Sequence, residues 1–123
     1  MDITALALSG IFTVVFVKIA GALFHEARPF IVEHVPPLIP HPADNGFPSD
    51  HMAACGLAVA YLWTRQRALA LVSLAVAAAL AVARVIAKLH WPIDVAAGFA
   101  LGALAVVVAT TLLGRRLPVQ SRR

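Results

Sequence analysis

The stretch that decides the fold is residues 68–94, which read ALALVSLAVAAALAVARVIAKLHWPID. An α-helix needs roughly 20 apolar residues to cross the hydrocarbon core of a bilayer, so the first part of this stretch predicts a transmembrane helix. The second part carries Arg84, Lys88, His90 and Asp94. Ionisable side chains at membrane depth are unfavourable and usually mark a functional site. The stretch therefore predicts a membrane helix that ends in a functional polar cluster.

Further apolar stretches flank this one on both sides. Together they predict helices over about residues 3–24, 49–63, 68–89 and 93–113. Apolar residues make up 61% of the chain and charged residues 13%, whereas soluble proteins carry about 25% charged residues. The predicted fold class is all-α: an integral membrane helical bundle with about four transmembrane helices.

The positions of the arginines predict the direction of these helices. Basic residues lie between the second and third helices and after the fourth: Arg65, Arg67, Arg115, Arg116, Arg122 and Arg123. The positive-inside rule places both groups on the cytoplasmic face. The chain then divides into one transmembrane domain over residues 1–114 and a basic cytoplasmic tail over residues 115–123. The tail is typical of an anchor beside anionic lipid and does not indicate nucleic-acid binding.

Three short polar clusters fall on the opposite, outer face of the membrane in this topology. They are Arg28-Pro29, residues 48–51 (PSDH) and the Arg84 to Asp94 segment. The proline-rich connection over residues 29–48 predicts a short re-entrant or interfacial helix. It is followed by a turn at Asp44-Asn45-Gly46. The three clusters are expected to meet at one rim.

His90 and Asp94 are candidates for an activated nucleophile. Pro92 favours the first turn of a helix, so Asp94 follows His90 by one turn. A carboxylate in that position can accept a hydrogen bond from one ring nitrogen and leave the other nitrogen nucleophilic. The alternative is that Asp94 only caps the helix and interacts with its dipole. The residues alone leave both interpretations open.

The remaining polar residues suit a phosphate group. The planar guanidinium of Arg84 matches phosphate oxygens, and Arg28 is a second phosphate ligand or an interfacial anchor. Lys18 is the most costly charge in the first helix and is expected to point toward the same site.

The PSDH segment opens the second helix and predicts an anion site at its start. Ser49 is a suitable N-cap, so free backbone N–H groups should face the site, although Ser49 and Asp50 equally suit a purely capping role. His51 lies in the first turn, where a histidine can donate a proton to a leaving oxygen.

Taken together, these residues resemble the type 2 phosphatidic acid phosphatase superfamily, whose motifs are K-x6-R-P, P-S-G-H and S-R-x5-H-x3-D. Arg28-Pro29 matches the end of the first motif. Residues 48–51 match the second with Asp50 in the glycine position, and residues 83–94 match the third with Ala83 in place of the serine. Residues 38–51, LIPHPADNGFPSDH, resemble the bacterial undecaprenyl-diphosphate phosphatase branch.

The resemblance implies a reaction and a role for each residue. His90 attacks the terminal phosphorus and forms a phosphohistidine, with Asp94 orienting its ring. His51 protonates the leaving phosphate and then activates water. The phosphoryl oxygens are held by the phosphate-binding group, which comprises Arg28, Arg84, Ser49, Asp50 and Lys18. No metal and no cofactor are expected, because the cationic side chains supply the positive charge.

The resemblance also implies a substrate and a location. The expected reaction converts undecaprenyl diphosphate to undecaprenyl phosphate and phosphate. It takes place at the outer, periplasmic or extracellular face of a bacterial cytoplasmic membrane, recycling the lipid carrier for cell-wall synthesis and conferring bacitracin resistance. Soluble vanadium haloperoxidases share the three-motif site, so inhibition by vanadate is expected as well.

Two departures from the family keep other interpretations open. Gly21 stands where the first motif has its lysine, with Lys18 one turn earlier, and the family core commonly has six helices, so two would precede this chain. The alternatives are a phosphatidylglycerophosphate or phosphatidate phosphatase and a truncated, non-catalytic membrane partner. A homo-oligomer that covers the exposed face is a further hypothesis. A metal- or proton-handling protein is disfavoured because its candidate ligands lack a clean spacing: His25, Glu26, His34 and His41.

Overall fold

The computed structural model describes residues 3–116. The helices are α1 (Ile3–Leu23), α2 (Pro29–Val32), α3 (Asp50–Trp63), α4 (Arg67–Ile86) and α5 (Pro92–Arg116). No strand occurs within these residues, which confirms the all-α class. Most of the predicted basic tail, residues 117–123, lies outside the described part of the chain.

The number of helices long enough to cross a membrane is smaller than predicted. Within residues 3–116, three helices have the length and apolar composition of a membrane span: α1, α4 and residues 92–114 of α5. The predicted second span is α3, which has 14 residues and is therefore about 21 Å long. A hydrocarbon core is about 30 Å thick, so α3 is shorter than an ordinary span, while the predicted membrane helical bundle is confirmed. The chain turns at Thr64 before the helix reaches spanning length.

Close packing of α3 against α5 forms the centre of the bundle. A Cβ atom added at Gly56 would collide with the carbonyl of Phe99, and one at Gly102 would collide with the carbonyl of Ala53. Small residues allow helix backbones to approach closely, which is a general way of packing helices in membranes. The glycines therefore fix how near α3 lies to α5, and α1 packs against α5 while α4 packs against α3.

The outer surfaces of α1 and α4 are apolar and exposed. Ile3 is 83% exposed, and Val72 and Val76 on α4 are each 61% exposed. Contiguous apolar surface of this kind is unusual on a soluble monomer but suits contact with lipid. Together with the three long apolar helices, it identifies a helical membrane protein.

The short predicted helix is present as α2, and it docks on the end of α4. The N–H group of Phe30 donates to the carbonyl of Lys88 at 3.1 Å, and the N–H group of Leu38 donates to that of Ala87 at 3.3 Å. Lys88 has a φ of 65°, the left-handed conformation that commonly ends a helix. Phe30, Ala87 and Leu89 form a buried cluster beneath α2. This contact holds the turn that leads from α4 into His90.

Four helix ends meet at the same end of the bundle. The chain leaves α1 and α4 there and begins α3 and α5 there. The N–H group of Ser49, just before α3, donates to the carbonyl of Asp94 in the first turn of α5 at 3.1 Å. The N–H group of Gly46 donates to the carbonyl of Glu26, just after α1, at 2.9 Å. The polar clusters of the sequence are thereby brought together.

Candidate active site

A cavity of about 350 Å³ lies among these helix ends. Six of the predicted site residues line it: Lys18, Arg28, Asp50, His51, Arg84 and His90. Ser49 and Asp94 are fully buried and do not line it. Three of the six lining residues carry cationic side chains, so the cavity is suited to an anion.

The ring of His90 is buried and its two nitrogens have different partners. Nδ1 lies 2.9 Å from the carbonyl oxygen of Gly46, and Nε2 lies 3.3 Å from Nη1 of Arg28. A carbonyl oxygen only accepts hydrogen bonds, so Nδ1 must carry the proton of the neutral ring. Nε2 then carries the lone pair of the neutral ring and accepts an N–H of Arg28, so this is the nitrogen that could act as a nucleophile once that contact opens.

His90 lies between α4 and α5, and its surroundings favour the neutral ring. Burial, reinforced by the positive charges of Arg28 and Arg84, lowers the pKa of His90 to about 4. The hydrogen bond to Gly46 opposes this shift but does not outweigh it. The ring is therefore neutral throughout the physiological pH range.

Asp94 supports the site in a different way from the one predicted. Its Oδ2 accepts the backbone N–H of Trp91 at 2.8 Å and lies 3.7 Å from Nδ1 of His90, too far for a hydrogen bond. A side chain in the first turn that reaches back to the N–H preceding a helix is a cap, so the capping interpretation describes the geometry. The predicted direct hydrogen bond between Asp94 and His90 is absent, because the carbonyl of Gly46, from a distant loop, accepts the Nδ1–H group instead.

Arg28 is held rigidly beside His90. Its side chain is 7% exposed, and Nη1 donates to the carbonyl of Leu89 at 2.9 Å. Nη2 donates to the carbonyl of Asn45 at 3.2 Å, and Nε donates to Oδ1 of Asp44 at 2.9 Å. The guanidinium is thus fixed in the cavity wall by partners from two separate segments.

Arg84 lines the cavity and carries a buried donor without a partner among residues 3–116. Its Nε is buried and has no hydrogen-bond partner within the described part of the chain. Buried polar groups in proteins nearly always have partners, so a site for an acceptor is implied here. A phosphate oxygen is an acceptor of the required kind.

Gly21, at the position of the motif lysine, lines the cavity beside the loop that precedes α3. Nδ2 of Asn45 donates to the carbonyl of Gly21 at 2.9 Å, and a Cβ at position 21 would lie 3.3 Å from the carbonyl oxygen of Phe47. Lys18, one turn earlier, lines the same cavity and supplies a cationic side chain there.

The start of α3 combines an open histidine with a buried cap. His51 is exposed in the cavity, and no hydrogen bond joins its ring to any residue between 3 and 116. Ser49 is fully buried and its Oγ accepts the N–H of Met52 at 3.4 Å, as an N-cap does. The predicted phosphate contact of Ser49 stays a prediction, and the geometry favours its capping role.

The loop before α3 supplies residues that the sequence analysis recognised only as a turn. Oδ1 of Asn45 accepts the N–H groups of Glu26 and Phe47 at 3.0 and 3.1 Å. Gly46 orients His90, and Asp44 pairs with Arg28. The turn signal located this segment, but its contacts with the site depend on residues far away in the chain.

The described residues contain no obvious metal site. Between residues 3 and 116, no group of three or more His, Cys, Asp or Glu side chains is placed to hold a metal ion.

A bundle of membrane helices around a cationic cavity with a neutral, buried histidine is the arrangement expected of a phosphate-handling membrane protein. The family model of the PAP2 superfamily matches residues 2–118, and the chain belongs to that superfamily. No solved structure matches the chain.

Two curated relatives come from bacilli. The chain is 34% identical to the bacitracin transport permease protein BcrC of Bacillus licheniformis, over 73% of this chain and 45% of that protein. It is 32% identical to the undecaprenyl-diphosphatase BcrC of Bacillus subtilis strain 168, over 82% of this chain and 50% of that protein. The aligned part thus spans about half the length of each relative.

Proposed function

We propose that this chain is a membrane lipid phosphatase that hydrolyses undecaprenyl diphosphate to undecaprenyl phosphate and inorganic phosphate. The observation that carries the proposal is the state of His90: a neutral ring whose Nδ1 donates to Gly46 and whose Nε2 lone pair faces Arg28. Membership of the PAP2 superfamily and similarity to an undecaprenyl-diphosphatase support the substrate class.

In the first step, Nε2 of His90 attacks the terminal phosphorus. A P–N bond forms while the P–O bond to the bridging oxygen breaks, and undecaprenyl phosphate leaves. His51, exposed in the same cavity, gives its proton to the leaving oxygen. The imidazole ring becomes positively charged, and the carbonyl of Gly46 stabilises its Nδ1–H group.

In the second step, His51 takes a proton from a water molecule, which attacks the phosphohistidine. The P–N bond breaks, inorganic phosphate is released and His90 returns to its neutral state. The ring of His51 is exposed and has no partner among residues 3–116, which suits both proton transfers, because it can approach a lipid oxygen in one step and a water in the next.

The cationic side chains account for binding of the phosphoryl group. Arg28 is fixed, Arg84 has a free donor, and Lys18 is exposed in the cavity. Fixed donors that are directed at developing negative charge often make the largest contribution to the rate, and they remove the need for a metal ion. Asp50 contributes to phosphate binding through the backbone, because it lies at the start of α3, where the first N–H groups of a helix have no partner within the helix.

A second cavity supports a lipid rather than a soluble phosphate ester. It has a volume of about 380 Å³, lies between α1 and α3, and is lined mostly by apolar residues such as Val14 and Leu57. Val17, Lys18 and Asp50 line both cavities, so the two adjoin. The phosphoryl site would then hold the headgroup, the apolar cavity the first part of the tail, and Lys18 the phosphate nearest the tail.

The arrangement also supports a location for the reaction. Arg65 and Arg67 lie between α3 and α4, at the end of the bundle opposite to the cavity. The positive-inside rule then places the cavity on the outer face of a bacterial cytoplasmic membrane. We also propose that a second copy of the chain covers the exposed apolar faces of α1 and α4 in a homo-oligomer.

The test is release of phosphate from undecaprenyl diphosphate in detergent with a chelator present. Wild type should release phosphate and His90→Ala should not, whereas His25→Ala, an exposed histidine that does not line the cavity, should match wild type. Parallel assays with phosphatidate and phosphatidylglycerophosphate rank the substrates. A folded wild type that releases no phosphate from any of them would support the non-catalytic alternative.

A further inference from the structure

Every donor edge of Arg28 is already occupied by the protein. Oδ1 of Asp44 lies 2.9 Å from Nε and 2.8 Å from Nη2, and Nη2 also donates to the carbonyl of Asn45 at 3.2 Å. Nη1 donates to the carbonyl of Leu89 at 2.9 Å and lies 3.3 Å from Nε2 of His90. A phosphate that arrives at this arginine must therefore replace an existing partner.

Asp44 is the partner of Arg28 that a phosphate can most easily displace. Its side chain is 62% exposed, whereas that of Arg28 is 7% exposed. It lies in the irregular segment between α2 and α3 and lines the cavity, while the carbonyls of Asn45 and Leu89 belong to the backbone. Asp44 is also the one anion among these partners, and its carboxylate oxygen occupies the same guanidinium edge that a phosphate oxygen would use.

We propose that Asp44 occupies the phosphate position on Arg28 in the empty site and sets the affinity for phosphate by competing with it. The inference rests on the proposed function, since it assigns Arg28 to the phosphoryl group. A substrate phosphate displaces Asp44 when it binds, and Asp44 returns to Arg28 when inorganic phosphate leaves. Asp44 is then an affinity-determining residue of the phosphatase reaction.

The balance of charges makes this exchange feasible. Ion pairs with an exposed partner contribute little to stability, so little is lost when Asp44 moves away. A phosphate offers more negative charge than a carboxylate and can also engage Arg84, whose Nε is unpaired among residues 3–116. Removal of the Asp44 charge should therefore strengthen anion binding.

The opposite role, in which Asp44 holds Arg28 in place for the substrate, predicts the opposite sign. If Asp44 positions Arg28, loss of its charge weakens binding of substrate and of vanadate. If Asp44 competes, the same change strengthens both. Asp44→Asn separates the two because the amide oxygen still accepts a hydrogen bond from Arg28, so that the geometry is retained while the charge is removed.

The experiment measures the KM for undecaprenyl diphosphate and the inhibition constants of vanadate and inorganic phosphate, using the full chain in detergent. Asp44→Asn should lower all three by about three- to tenfold, without raising kcat. Glu33→Gln is the matched control. Its carboxylate pairs with Lys88 at 2.8 Å near the same rim but outside the cavity, so it should leave the constants unchanged.

Two outcomes would overturn the proposal. Constants that rise in Asp44→Asn would show that Asp44 positions Arg28, and unchanged constants would show a surface pair with no part in binding. Stabilisation of each variant by inorganic phosphate in a thermal melt gives a second readout that needs no turnover. If wild type shows no phosphatase activity but the melts still show tighter phosphate binding in Asp44→Asn, the proposed reaction fails and the competition stands.

Discussion

The two histidines of the cavity lie in opposite environments. His90 is 3% exposed and contacts the carbonyl of Gly46 through one nitrogen and Arg28 through the other. His51 is exposed, and its ring has no hydrogen bond to any of residues 3–116. A nucleophile benefits from a fixed ring and a defined tautomer. A group that transfers protons in two successive steps benefits from a ring that can reorient between its two partners. The difference supports a division of labour between the two residues.

The local structure accounts for this contrast. His90 follows a left-handed turn at Lys88 and precedes α5, so backbone on both sides encloses it. His51 lies in the first turn of α3 beside the cavity, where no other element of residues 3–116 covers it.

The largest expected effect comes from removal of the fixed histidine. His90→Ala should reduce kcat/KM by at least about 10⁴-fold, because no phosphohistidine forms without Nε2. Phosphate release from undecaprenyl diphosphate measures the loss, and a folded His90→Ala protein that keeps more than a tenth of wild-type activity would assign the attack to another group.

Removal of the exposed histidine should have a smaller and substrate-dependent effect. His51→Ala should lower kcat by about 10²- to 10⁴-fold with the lipid diphosphate, the range typical of general acid–base catalysis. With an aryl phosphate whose leaving group needs no proton, the loss in the first step should shrink. Equal losses with both substrates would indicate that His51 binds phosphate and does not donate a proton.

The capping role of Asp94 predicts a moderate loss. In a catalytic triad, replacing the aspartate by asparagine lowers the rate about 10⁴-fold because the histidine adopts the wrong tautomer. Here Gly46 sets the tautomer, so Asp94→Asn should lower kcat by only about 10- to 100-fold. Steady-state kinetics decide the point, and a loss near 10⁴-fold would mean that Asp94 contacts His90 directly during the reaction.

Unlike the two histidines, which act on the terminal phosphate, Lys18 is expected to bind the phosphate nearest the lipid tail. If it contacts the phosphate nearest the tail, Lys18→Met should raise the KM for a lipid diphosphate about tenfold more than the KM for the matching lipid monophosphate. A uniform increase for both substrates would place Lys18 at the terminal phosphate instead.

The smallest effect concerns pH. The pKa of His90 is lowered to about 4 in the folded protein, so between pH 6.5 and pH 4 the unfolded chain takes up the proton first. The contribution of His90 to stability is complete above pH 6.5 and declines as the pH falls, with a loss of about 1 kcal/mol at pH 5.5. Thermal melts at pH 7.5 and 5.5 should show a smaller pH effect in His90→Ala than in wild type. An equal effect in both proteins would contradict the lowered pKa.

Part of the site follows from the sequence because its members are local. Arg84 and His90 occur within seven residues at the end of an apolar helix, and their spacing alone indicates one cluster. The same applies to Ser49 and His51 at the start of a helix. Motif spacing identifies these residues because each pair is placed by a single helix end.

The amino-acid sequence by itself determined the helical membrane class, the superfamily resemblance and the cationic, histidine-containing character of the site. Those properties depend on composition and on short spacings, which survive without knowledge of packing. Only the tertiary structure decided that Gly46 orients His90, that Asp44 pairs with Arg28 and that α3 ends after 14 residues. The first two are contacts between residues 44 and 16 positions apart, respectively, and the third depends on where the chain turns. Such long-range contacts arise from the packing of α1, α3 and α5, which no local pattern specifies.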